Sequence, residues 1–203
     1  WLRGRIGKYP AFTEEAVAAL ESCPPAADPD GGYAQVLRVD LGEVVPCVCG
    51  PDTVKTVVPV TELAEKKIRV DKAYLLSCVN ARLEDLEQAA EVLRGRKVAD
   101  HVGFYLAAAS DEVQREAETN GTWAALVEAG AEVLPPGCGP CIGMGRGLLE
   151  DGEVGISATN RNFQGRMGSR EASAYLASPA VVASSAIAGH ITGPDNMAGP
   201  GPT

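Results

Sequence analysis

The chain has 203 residues, of which 45% are apolar and 22% charged, the makeup of a folded globular protein rather than a disordered one. No run approaches the ~18 apolar residues of a membrane-spanning helix. Its 18 basic and 27 acidic residues leave a net charge of −9, which repels phosphate backbones and argues against nucleic-acid binding.

The chain opens on Trp1, with no basic stretch followed by an apolar one as in a signal peptide. Thr13 to Ser22 predicts a helix, capped by Thr13 and started by two glutamates that suit its positive end. Cys23-Pro24-Pro25 stops it, and the Pro/Asp/Gly-rich stretch to Gly32 reads as a linker. Ala34 to Asp40 alternates like a strand. Val44 to Val60 is β-rich but broken by Pro46, Pro51 and Pro59, and reads as an extended connecting arm. From Lys72 the pattern turns regular. Strands are expected at Ala73–Ser77, Val102–Ala108, Glu132–Leu134 and Val154–Ser157. Helices are expected at Leu83–Leu93, after the cap Ser110, at Trp123–Ala129 and, shorter, over Cys141–Leu149. One or two more fall within Ser169–Ala188.

Alternating strands and helices predict an α/β fold, a three-layer α/β/α sandwich with a mainly parallel sheet. The expected layout is an N-terminal helix, linker and extended arm at 1–66, an α/β domain at 67–194, and a flexible tail at 195–203. The Pro/Gly-rich ending suggests a piece of a longer polypeptide.

Six cysteines lie at 23, 47, 49, 78, 138 and 141, too few for a disulfide scaffold in a chain this long. In open parallel sheets, ligands bind beyond the carboxyl ends of the strands. Three unusual segments fall at such ends: Ser77-Cys78-Val79-Asn80, Pro135 to Cys141, and Ala158 to Arg166. Cys138 and Cys141 form a C-x-x-C turn among glycines and a proline, which aims two sulfurs at one object. That turn admits three chemistries. A structural zinc site needs four ligands, which Cys47 and Cys49 complete only on paper. A redox pair fits the Cys-Gly-Pro-Cys tetrapeptide but not the Gly137 before it. An iron–sulfur cluster takes Cys78 as its third thiolate and leaves one iron open. Arg161 and Arg166 add two guanidiniums, forks that bind carboxylates, which neither zinc nor redox chemistry requires. Cys47 and Cys49 share one face of an extended segment, and with Cys23 have no assigned chemistry.

GCGPCIG (137–143), ISATNRNFQGRMG (156–168) and YLASPAVVASSAIAG (175–189) resemble the iron–sulfur half of the aconitase superfamily, and SCVN (77–80) resembles its first cysteine motif. YLLSCVNARLEDL (74–86), FYLAAASDEVQ (104–114) and GEVGISATNRNFQGRMGS (152–169) are most similar to the fungal homoaconitase branch, then to the large subunit of 3-isopropylmalate dehydratase. The resemblance implies the third subdomain of the iron–sulfur region. It also implies a [4Fe–4S] cluster on Cys78, Cys138 and Cys141, with Asn160 beside it. Arg161 and Arg166 then bind the carboxylates of a small hydroxy-tricarboxylate that loses and regains water. It places the base serine in a C-terminal swivelling domain and the catalytic His/Asp groups in N-terminal domains, none of them in these residues. The isolated chain is therefore expected to be inactive. His101 and His190 match no histidine motif of the family and are expected to be structural. Location would be the mitochondrial matrix for the homoaconitase branch and the cytoplasm otherwise. Leu76, Val79 and Ala81 stand where the family writes glycine, threonine and serine.

Overall fold

The computed structural model describes residues 1–197. The chain forms two compact units, Trp1–Glu43 and Val44–Thr203. In the first, helix α1 (Glu14–Ser22) starts as expected, with the Thr13 hydroxyl accepting from the Ala16 N–H. Arg3 pairs with Glu21 at 2.5 Å, and Trp1 and Tyr9 set their rings edge-on to Phe12. The strand expected at Ala34–Asp40 does not form. Val36, Leu37 and Val39 are exposed and no neighbouring strand accepts their backbone, so alternation alone does not make a strand here.

The second unit is an α/β fold. In chain order it holds β1 (Cys47–Cys49), β2 (Val57–Pro59), α2 (Val60–Lys66), β3 (Lys72–Leu76), α3 (Leu83–Leu93) and β4 (Gly103–Ala107). There follow α4 (Asp111–Thr119), α5 (Thr122–Glu128), β5 (Glu132–Val133), β6 (Val154–Ser157), β7 (Ser173–Leu176) and α6 (Pro179–Ala188). Among the described residues, seven strands make one sheet in the order β2-β1-β7-β6-β3-β4-β5. β7, β6, β3, β4 and β5 run parallel, and β1 and β2 are antiparallel additions at one edge.

Alternation along the strands divides the core. Ala73, Leu75, Phe104 and Leu106 face the helices, where Leu86, Leu126, Val181 and Val182 meet them. Tyr74, Leu76 and Ala107 face the other way, onto Leu134, Cys141, Leu149 and Met167. The layers are thus helix, sheet and, on the second face, irregular chain strapped down by polar side chains. Lys72 Nζ donates to the Leu148 carbonyl at 2.7 Å and pairs with Glu153, and the Tyr74 hydroxyl donates to the Gly147 carbonyl at 2.7 Å. Burial pushes the Tyr74 phenol far above its usual range, so it stays a donor.

Four further segments differ from expectation. The segment expected as a connecting arm supplies β1 and β2, because its prolines sit at strand ends and on the sheet edge. The Ser169–Ala188 stretch holds a strand, β7, before its helix α6. Partners on both sides make a strand of SAYL, which holds no β-branched residue. The short helix expected over Cys141–Leu149 shrinks to a 3-10 turn at Pro140–Ile142, since Gly143, Gly145 and Gly147 all take positive φ. Of the tail expected at 195–203, the first three residues belong to a 3-10 turn, Pro194–Met197, and residues 198–203 lie outside the described residues.

Candidate metal centre

Each segment singled out at a strand end is built by local hydrogen bonds. After β3 the buried Ser77 hydroxyl accepts from the Val79 and Asn80 N–H groups, at 3.1 and 3.2 Å. This tight turn leaves Cys78 exposed. After β5 the chain is tied to β4 through the Gly137 N–H and the Ala108 carbonyl, and Pro140 then starts the 3-10 turn. That turn leaves Cys138 exposed and folds Cys141 into the apolar cluster with Tyr74, Leu76 and Met167. A cavity of about 270 Å³ beside the turn is walled by Leu76, Ala107, Leu134, Pro135, Pro140 and Met144, with Cys138 among its lining.

The loops meet. Cys138 donates to Cys78 with their sulfurs 3.6 Å apart, across a sequence separation of 60 residues. That hydrogen bond and the nearness of the second sulfur hold the Cys138 thiol above the usual range, while Arg166 pulls it down. The Asn80 amide donates to the Ala158 carbonyl at 3.2 Å, tying the Cys78 turn to the arginine loop. Gly143 packs so closely on the Arg166 carbonyl that a Cβ would lie 3.1 Å from it. The Arg166 guanidinium lies over the Phe163 ring, 5.0 Å from its centre, and its Nε is buried with no hydrogen-bond partner among the described residues. Asn160 and Arg161 are exposed at the start of the loop, and neither bonds to the three cysteines. Among the described residues, no three His, Cys, Asp or Glu side chains converge tightly enough to hold a single metal ion.

Cys47 and Cys49 do share a face, with buried Val48 between them on the opposite one. Burial, and then the Cys47 thiol, push Cys49 up from the usual thiol range. His101 and His190 each lie within hydrogen-bond reach of a carbonyl, Gly189 and Ala188 respectively. They sit at the amino ends of β4 and β3, away from the cysteine loops.

One important residue escapes sequence reasoning. Asn162, wholly buried, spreads its amide nitrogen over the Ala174 carbonyl at 2.9 Å and the Cys49 carbonyl at 3.2 Å. It thereby pins the arginine loop to β7 and β1. Nothing in the sequence flags it, because the Cys49 partner is 113 residues away. Asn162→Asp keeps the shape but sets acceptors against two carbonyl oxygens. Denaturant unfolding should show a loss of about 3 kcal/mol. A loss below ~1 kcal/mol would mean that the amide is not a clamp.

The thiol-bearing turns and the arginine loop occupy one end of a parallel sheet, and comparison with known proteins gives the family of the chain that carries them. The model of the aconitase family (aconitate hydratase) matches residues 1–189. A protein named mitochondrial homoaconitase in Mycosarcoma maydis is 62% identical over 83% of this chain and 23% of its own length. Its namesake in Eremothecium gossypii is 54% identical over 100% of this chain and 31% of its own length. That of Debaryomyces hansenii is 53% identical over 96% and 28%. The chain thus spans less than a third of these relatives, and across nearly all of its residues it belongs to the aconitase family.

Proposed function

We propose that the chain is the cluster-binding part of a hydro-lyase of the homoaconitase type, which interconverts homocitrate, cis-homoaconitate and homoisocitrate. The meeting of Cys78 and Cys138 from loops 60 residues apart, beside Arg166, carries this reading. The donor set fits a cluster better than a lone ion. It is all thiol, on a glycine-rich turn. A cluster offers a separate iron to each thiolate, so the three need not converge on one point. Cys78, Cys138 and Cys141 would hold a [4Fe–4S] cluster. Such a cluster supplies, at the iron without a thiolate, a Lewis acid for the substrate hydroxyl and a carboxylate.

The remaining work falls to side chains. Arg161 and Arg166 receive the carboxylates of the hydroxy-tricarboxylate, for which a planar fork is the matching donor. The pairing of Arg166 with the Phe163 ring keeps that guanidinium aimed before substrate arrives. Asn160 lies beside the cluster on this reading. The proton on carbon is taken by groups that this chain does not supply, in N-terminal domains and a swivelling C-terminal one. The chain alone is then inactive. A mitochondrial location follows from the names of the relatives. The Cys138–Cys141 redox pair is the weaker reading, because Cys141 is packed among apolar side chains.

Anaerobic reconstitution of the chain with iron and sulfide should produce the broad visible absorbance of an iron–sulfur cluster, and Cys78→Ser should abolish it. Colour that persists unchanged in Cys78→Ser overturns the ligand assignment.

A further inference from the structure

The tetrapeptide Cys138-Gly139-Pro140-Cys141 invites the expectation that its own two thiols oxidise to each other. The structure separates them. Cys141 is 4% exposed and sits in the apolar cluster beneath the turn, where peroxide has little access. Cys138 and Cys78 are both exposed, and their sulfurs are already in contact at 3.6 Å. A disulfide needs about 2.05 Å, so the sulfurs must close by roughly 1.5 Å. The chain around Cys138 can give that much. Neither Gly137 nor Gly139 has a heavy atom within 4 Å of where a Cβ would stand, so the turn is not wedged in place. The Cys78 turn is held more firmly, by the Ser77 hydroxyl and by the Asn80 amide on the Ala158 carbonyl, so the closing movement falls to the Cys138 turn.

The geometry points to Cys78 and Cys138 as an oxidisable pair: exposed to a peroxide, the chain forms a Cys78–Cys138 disulfide rather than one within the C-x-x-C turn. The chemistry balances with hydrogen peroxide as oxidant. One thiolate attacks a peroxide oxygen, the O–O bond breaks, and hydroxide leaves to become water, giving a sulfenic acid. The second thiol attacks that sulfur. The S–S bond forms, the S–O bond breaks, and a second water leaves. Two thiols lose two electrons and two protons, and one peroxide becomes two waters. Where these thiols are cluster ligands, which rests on the proposed function, the disulfide blocks loading until a dithiol reductant opens it.

The test uses the reduced chain, treated with one equivalent of hydrogen peroxide, alkylated, digested and mapped by mass spectrometry. A Cys78–Cys138 cross-linked peptide should dominate, with a loss of two titratable thiols. It should persist in Cys141→Ser, and Cys78→Ser should lose the two-thiol drop. A dominant Cys138–Cys141 link, or six thiols still alkylatable, overturns the inference. In a second arm, iron and sulfide are added after oxidation, with and without dithiothreitol. Colour should return only with the reductant, and colour without it sinks the blocking role. Should the disulfide map as expected while even the reduced chain takes up no cluster, the pair stands as oxidisable and the ligand assignment fails.

Discussion

Gly168→Ala is expected to cost the protein about 4 kcal/mol or more, lowering the thermal midpoint by roughly 10 °C. Gly168 holds φ at +144°, a region that side chains rarely enter. A Cβ there would lie 2.2 Å from the Leu149 carbonyl oxygen and 2.6 Å from its nitrogen. Both obstacles are backbone, and both are fixed: the Leu149 N–H donates to the Met167 carbonyl, and the Ser169 N–H to the Leu149 carbonyl. The substituted chain can relieve the clash only by breaking the bridge between Leu149 and Gly168. That bridge holds two irregular segments over the second face of the sheet, where Leu149, Met167 and Cys141 pack. Gly165→Ala is the control. It also has positive φ, but its Cβ would meet the flexible Arg170 side chain at 2.9 Å, and the loss should stay near 1 kcal/mol. Thermal unfolding followed by circular dichroism separates the two. Equal, small losses at both positions would contradict the close backbone approach.

The region from β3 to α4 is legible in the sequence because its signals are local. After Lys72, residues 73–76 are apolar on both faces, as a strand inside a parallel sheet must be, and Ser110 announces α4 by capping it at Val113. Legibility fails where distant partners decide. Ser173–Leu176 has no β-branched residue and becomes a strand because β6 and β1 flank it. Ala34–Asp40 has the alternation of a strand and no partner.

The site divides in the same way. The rule that ligands gather at the carboxyl ends of parallel strands, with the family resemblance, picks out the loops bearing Cys78, Cys138, Cys141 and Arg166. It leaves out what fixes them: the Asn162 amide across two strand edges, the Ser77 turn, and the burial of Cys141. Those depend on packing that no motif spells out. The unequal exposure of Cys138 and Cys141, identical in the tetrapeptide, is visible only in three dimensions.

The second large effect concerns Arg166. In the complete enzyme, Arg166→Lys should lower kcat/KM by about 100- to 1,000-fold, or ~3–4 kcal/mol, while cluster absorbance stays unchanged. On the proposed reading the guanidinium takes a substrate carboxylate, and each charge-assisted hydrogen bond contributes about 1.5–3 kcal/mol. Lysine keeps the charge but offers a point donor in place of a fork. It also loses the guanidinium's place over the Phe163 ring, so the ammonium is free to turn toward water. Arg166 Nε is buried without a partner, so the native side chain already carries a cost that a bound carboxylate would offset. If the loss falls on KM alone, the arginine holds substrate and transition state alike. If it falls on kcat as well, the fork tightens as charge shifts during loss of water. Phe163→Leu removes the stacking surface and leaves the guanidinium in place, so its loss should be smaller, about 10-fold. An Arg166→Lys enzyme with undiminished kcat/KM would remove this residue from the carboxylate site and leave Arg161 as the arginine to test.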